Sequence, residues 1–167
     1  MNHHDAITTC IPRLRRYALV LLGDRHRADD LVQDTLERAL QKFHLWRSES
    51  EIRPWLFSVM HNLHVDQYRT QPRHLDPLDT LGFELSTRAT QEDALTMRDL
   101  LQQLSQLPDE QRSILLLVAV EQLAYKDIAR ILGIPIGTVM SRLSRAREHL
   151  RRIQEEAAPT PHLKVMT

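Results

Sequence analysis

The sequence predicts an all-α protein: two small helical domains joined by a flexible acidic linker, the second built around a helix-turn-helix. Three observations carry that expectation. Leu, Gln, Arg, Glu and Ala are abundant while glycine is held to four residues, and apolar residues recur at three- and four-residue spacing nearly throughout, the period of a one-sided helix. The period fades from Arg69 to Gln91, where Pro72 and Pro77 interrupt helix and Asp76, Asp79 and Glu84 collect, as in a linker. Near the C-terminal end two periodic stretches meet at Gly133, Ile134 and Pro135, a short turn of the kind that joins such helix pairs. The 167 residues suffice for two small domains. We place them at 1–70 and 92–156, with the linker at 71–91 and a tail at 157–167 carrying Pro159 and Pro161.

A first helix is expected over about 5–22, where Ile7, Ile11, Leu14, Ala18, Leu21 and Leu22 form one stripe that ends near Gly23 and Asp24. A second, over about 25–43, buries Ala28, Leu31, Val32, Thr35, Leu36, Ala39 and Phe43. A polar loop from Arg47 to Glu51 precedes a third helix over about 53–70, with Pro54 in its first turn, where the missing N–H has no intrahelical partner to lose. In the second domain a helix over about 92–106 carries Leu100, Leu101 and Leu104. Leu107, Pro108, Asp109 and Glu110 then start the next, with carboxylates at the positive end of its dipole. Two further helices cover about 125–132 and 135–153. Ala124 stands where a Ser or Thr would cap the first of them.

Lys and Arg equal Asp and Glu at 22 each, but the balance shifts along the chain. It is +1 over 1–70, −5 over 71–110 and +4 over 111–167, and a neutral total does not prevent a basic face from attracting phosphate over roughly 10 Å. The single thiol, Cys10, cannot form an internal disulfide and falls in a helical stripe, as a small buried hydrophobe does. The longest apolar run, Ile114 to Val120, is less than half of the ~20 residues that cross a bilayer. With no leader-like opening, a reduced, cytoplasmic protein is expected.

The last two helices carry the sharpest signal. Ile128, Ala129 and Leu132 are expected to line the inner face of the first, and Gly133 suits a left-handed turn. On the second, Val139, Leu143, Ala146 and Leu150 make a packed stripe, while Thr138, Ser141, Arg142, Arg145, His149 and Arg152 fall about 120° away. Guanidinium forks and hydroxyls on one face match guanine edges and phosphate oxygens in a major groove. Five Arg against one Glu over 137–152 reinforce that reading over a merely solvated face.

In the first domain, Asp30, Gln33, Asp34 and Glu37 share a polar face at i, i+3, i+4, i+7, which taken alone is a solvated face. The third helix sets Asn62, Asp66 and Arg69 opposite Leu56, Val59, Met60 and Leu63. Trp46, Trp55, Phe57 and Tyr68 are four of the eight aromatics, and such a surface beside a loop can hold unstacked bases, although Trp55 and Phe57 read as core.

The ordered set Ala28, Asp29, Asp30, Leu31, Val32, Gln33, Asp34, Thr35; Arg53, Pro54, Trp55, Leu56 through Asn62 and Asp66; Leu107, Pro108; Tyr125 to Ala129; Leu132 to Pro135; and Gly137, Thr138, Val139, Ser141, Arg142, Leu143, Arg145, Arg147 resembles the extracytoplasmic-function sigma factors of bacterial RNA polymerase. The resemblance spans about 10–153. It implies that the face of Asp30, Gln33, Asp34 and Glu37 docks on a coiled coil of the polymerase beta-prime subunit. It implies that Trp46, Ser48, Arg53, Asn62, Asp66 and Arg69 melt and hold the minus-ten promoter element, and that Thr138, Ser141, Arg142 and Arg145 read the minus-thirty-five element. An anti-sigma factor is implied as a further partner. His61 stands where relatives often carry a basic residue, so phosphate attraction there is expected to depend on pH.

Two rival classes account for less of the chain. A stand-alone helix-turn-helix transcription regulator accounts for the second domain but leaves the first without a role. A metal site or an enzyme finds little support: His61 and His64 sit at i, i+3 without further ligands at a recognisable spacing, and Ser58, His61 and Asp66 lack an oxyanion hole. Surface histidines are the expectation, with no catalytic residue, metal, cofactor or small-molecule substrate. A linker of about 20 residues reaches ~70 Å extended but only ~25 Å as a coil, so two DNA elements can be spanned only if the polymerase holds it stretched.

Overall fold

The structure, a computed structural model, describes residues 3–46, 51–69, 88 and 90–158. Most of the expected linker, the tail from Pro159 onward and Ser48 lie outside the described residues. Among the described residues seven α-helices follow in order: α1 (His3–Leu22), α2 (Arg25–Gln41), α3 (Ile52–Leu63), α4 (Gln91–Ser105), α5 (Asp109–Leu115), α6 (Tyr125–Leu132) and α7 (Ile136–Ala157), with a 3-10 turn at Phe43–Leu45. π-Helical turns, His64–Tyr68 and Leu116–Val120, prolong α3 and α5. Among the described residues there is no strand.

Local chemistry sets the helix ends. Gly23 at φ 67° closes α1, and the Asp24 side chain accepts from the Arg27 N–H at 3.0 Å to open α2 at once. Thr90 and Asp93 form a reciprocal capping box on α4. α6 ends where the Ile134 N–H donates to the Ala129 carbonyl and the Gly133 N–H to that of Arg130. That paired closure requires the left-handed backbone Gly133 adopts at φ 65°, ψ 37°. A Cβ there would meet nothing within 4 Å, so backbone conformation alone favours glycine.

The buried stripe of α1, Ile7, Cys10, Leu14, Tyr17, Ala18, Leu21 and Leu22, packs against α2 and α3, where the Tyr17 and Phe57 rings meet edge to face at 5.2 Å. In the second half Ile114, Leu116 and Leu117 of α5 and its π turn meet Val139, Leu143 and Ala146 of α7. The inner face of α6 differs from the expected one. Ile128 and Ile131 are buried, whereas Ala129 and Leu132 are only half-buried, because the helix turns its i, i+3 pair rather than its i, i+4 pair inward.

The larger departure concerns how the halves meet. Sequence pattern leaves two bodies on a tether, yet one apolar core runs from Cys10, Leu14 and Phe57 through Ile114 and Leu117 to Ile128 and Leu143. Domains of some 60 residues bury only about 60% of the surface their chains expose, and each half here completes its core on the other. Two fully buried charges lie at this seam. Arg112 donates to the carbonyls of Leu21 at 2.7 Å, Leu104 at 2.8 Å and Ser105 at 3.3 Å, and makes a shorter bond to that of Leu107. Glu121 faces Arg13 and Arg16, both at 3.5 Å.

Candidate nucleic-acid interface

The second half offers a basic helix face. Val139, Leu143 and Ala146 anchor α7 in the core, which turns Ser141 and Arg145 out into solvent and leaves Thr138 and Arg142 half-buried. The Ser141 hydroxyl donates to the Thr138 carbonyl at 3.1 Å. Further along, the pattern is less open. His149 shares a 2.8 Å hydrogen bond with Gln111 of α5, Arg151 pairs with Glu148 at 2.6 Å, and Arg152 lies 3.5 Å from the same carboxylate. Toward its N-terminal end α7 keeps Ser141 and Arg145 turned outward, while Arg142 lies 4.0 Å from the Glu110 carboxylate of α5.

In the first half, Trp46 is half-buried with its ring 5.2 Å from Phe43, which in turn meets Trp55 edge to face at 6.3 Å. These aromatics sit where the 3-10 turn leads toward α3. Asn62 and Asp66 are exposed on α3 and its π turn. Arg53 and Arg69 face the other half of the molecule instead: Arg53 donates to the Glu121 carbonyl at 3.0 Å, and Arg69 pairs with Glu110 at 2.6 Å. Asn62 and Asp66 thus stay open to solvent, while both Arg53 and Arg69 are engaged by the second half.

The acidic face of α2 is distinct from both. Asp30, Gln33 and Glu37 are exposed, Gln33 donating to Glu37 at 3.4 Å. Asp34 is half-buried and accepts from the Tyr68 hydroxyl at 2.7 Å. Burial, then the hydrogen bond to Asp34, raise the Tyr68 phenol well above its ordinary value, so it remains the donor of that bond.

The histidines correct two expectations. His64 is 3% exposed, 3.7 Å from the Asp109 carboxylate across the seam, so it is not a surface histidine. The i, i+3 spacing with His61 follows α3 into the interface between the halves. His61 is half-buried, and burial, then the neighbouring His64 and Arg69, lower it to about 4. It is therefore neutral near pH 7 and cannot supply the pH-dependent phosphate attraction expected there. Among the described residues no cluster of three or more His, Cys, Asp or Glu is arranged to hold a metal ion.

Arg112 and Glu121 escaped the sequence reading, and Glu110 was read only as a carboxylate at a helix start. Arg112 lies one turn before Leu116, in phase with the buried stripe of α5, and that phase was the available signal. Its charge argued for the surface, since an Arg is seldom fully buried without partners; those partners are the carbonyls at the α4–α5 turn, the Asp109 carboxylate and, from the other half, the Leu21 carbonyl.

Comparison with known proteins gives these features a context. Residues 7–61 match the family described as the Sigma2 domain of PhyR, and residues 91–150 match Sigma-70, region 4. The chain is 37% identical over 147 residues to the ECF RNA polymerase sigma factor EcfG of Rhodopseudomonas palustris, covering 87% of this chain and 81% of that one. The chain belongs to the ECF sigma factors. It is also 33% identical over 139 residues to the ECF sigma factor SigM of Bacillus subtilis, covering 81% of this chain and 85% of the relative. The sigma factor RpoE of Bartonella quintana, solved in complex with the anti-sigma factor NepR, superposes with a TM-score of 0.74 at 31% identity over 93% of this chain and 98% of that one. As an ECF sigma factor the protein works with RNA polymerase in promoter-specific initiation of transcription. Sigma factors are generally DNA-binding regulators without enzymatic activity. Among the described residues no helix is long and apolar enough to cross a membrane.

Proposed function

We propose that this sigma factor holds promoter DNA with two separate grips and the polymerase with a third. Thr138, Ser141, Arg142 and Arg145 on α7 read the minus-thirty-five element in the major groove. Trp46, Ser48, Arg53, Asn62, Asp66 and Arg69 open and hold the minus-ten element, stacking and hydrogen-bonding its bases once they leave the duplex. Asp30, Gln33, Asp34 and Glu37 dock on the beta-prime coiled coil. The observation that carries this reading is the α7 face, with Ser141 and Arg145 turned to solvent on the helix that follows the Gly133 turn, the geometry in which a recognition helix enters a groove.

The two DNA elements lie on the order of two helical turns apart, roughly 70 Å. The packed halves are far too close for both grips to act together, so core polymerase supplies the separation, acting on the linker at 71–91 between domains at 1–70 and 92–156. The Bartonella relative's complex with NepR supports an anti-sigma factor as a further partner. The protein acts in the cytoplasm, without catalysis of its own and without a cofactor or small-molecule substrate. The test is to add the purified protein to sigma-free core enzyme on fragmented genomic DNA and map the 5′ ends of the transcripts. Ends sharing two upstream elements at fixed spacing are expected. Ends no different from those of core enzyme alone would overturn the reading.

A further inference from the structure

Glu110, in the first turn of α5, stands between the two DNA grips. Its Oε1 accepts from Arg69 Nη2 at 2.6 Å, and its Oε2 lies 4.0 Å from Arg142 Nη1. One arginine belongs to the first half and the other to the recognition helix of the second. The side chains of Arg69, Glu110 and Arg142 are 39%, 51% and 37% exposed, so the cluster sits at the rim of the seam, open to exchange with an anion from solution. Arg69, above all, draws the Glu110 carboxyl below its ordinary range, so at neutral pH the carboxylate is charged and offers these arginines what a phosphate would offer: two oxygens for a guanidinium fork.

We propose that Glu110 is an internal substitute for a DNA phosphate, which occupies one arginine from each grip and thereby lowers the DNA affinity of the free protein. The inference rests on the assignment of Arg69 and Arg142 as DNA contacts. A carboxylate can serve both only while the halves are closed. Occupation of the arginines and separation of the grips are therefore mutually exclusive, and DNA must displace Glu110 from whichever arginine it engages. An exposed ion pair is weak, so the device is a bias against stray DNA rather than a lock, readily overcome once polymerase separates the halves.

The full-length protein is titrated against a 40-base-pair duplex of random sequence by fluorescence anisotropy at several salt concentrations. This probe reads phosphate contacts without requiring the promoter sequence. Glu110→Gln is compared with Glu92→Gln, which removes the same charge from an exposed site on α4. We expect Glu110→Gln to bind about fivefold more tightly than Glu92→Gln, a change of the size an exposed ion pair supports. The slope of log K against log salt should steepen by about one to two, as the freed arginines find phosphates. In the Arg69→Ala, Arg142→Ala background the advantage should vanish. Equal affinity of the two Gln variants, or an advantage that survives loss of both arginines, overturns the proposal. The single variants Arg69→Ala and Arg142→Ala separate the two layers of argument. If either weakens DNA binding by the otherwise wild-type holoenzyme, failure belongs to the Glu110 device alone; if neither does, the DNA assignment itself is wrong.

Discussion

The floor and the rim of the seam are held by the same chemistry under opposite conditions. On the floor, Arg112 is fully buried and answered by backbone carbonyls of Leu21, Leu104 and Ser105 and by the Asp109 carboxylate at 3.1 Å, acceptors that the chain itself supplies around it. At the rim, Arg69, Glu110 and Arg142 are about half exposed, and each could bond to something else at little cost. Burial makes an ion part of the architecture, while exposure leaves it available for binding. The opening proposed for this sigma factor needs both, a floor that defines the closed form and a rim that can change partners.

The strongest way to break this contrast is at the floor. Arg112→Ala should destabilise the closed protein by about 3–5 kcal/mol in urea denaturation, because several buried carbonyls lose their donor together. A cost below 1 kcal/mol would show that water reaches the site. Acid comes second. His61, at 6.5 in an unfolded chain, is lowered to about 4 in the fold, chiefly by burial, so below pH 6.5 the unfolded chain binds the proton more readily. Its contribution to stability is present above that pH and is lost as the pH falls toward 4. His61→Gln should flatten the fall in stability over that window; an unchanged profile would assign the acid sensitivity elsewhere.

The remaining effects sharpen the account of the outer surface. Arg145→Ala should cost ~1–3 kcal/mol in holoenzyme binding and relax preference at one upstream position if the side chain forks to a base. A uniform loss on all sequences would mark a phosphate contact. Ala124→Ser should raise stability by about 1 kcal/mol, since Ala124 has the extended backbone of a cap and makes no side-chain bond to the start of α6. In a protein of this size that is roughly 2–4 °C in thermal midpoint. Arg69→Ala should cost less than about 1 kcal/mol of folding stability, the counterpart at the rim to Arg112→Ala on the floor.

Much of this arrangement was legible in the amino-acid order. Gly133, Pro108 and the stripe from Val139 to Ala146 announced helix boundaries and faces, because turns and periodicity are local. The exposure of Ser141 and Arg145 followed from the same periodicity. The seam was not legible. Glu121 and His64 meet residues tens of positions away, and Arg112 joins the α4–α5 turn beside it to the distant Leu21 carbonyl; charge gave a surface expectation that only tertiary packing could reverse. On α6, Ile128 was read correctly and Ile131 was missed for a related reason: Ala129 and Leu132, which pack against the core only half-buried, satisfy the period equally well, and the rotation of a two-turn helix is decided by its neighbours. The position of Arg53, drawn to the Glu121 carbonyl, likewise depends on the two halves meeting.

The central claim is that the halves rest together and are drawn apart by the polymerase. Spin labels at Gln41→Cys on α2 and Gln154→Cys on α7, both exposed sites, in a Cys10→Ala background, report the distance between the halves in the full-length protein. One short distance is expected for the free protein, and a distribution longer by tens of ångströms, as two DNA elements roughly 70 Å apart demand, once core polymerase is bound. The same short distance in a transcriptionally active holoenzyme would contradict the account.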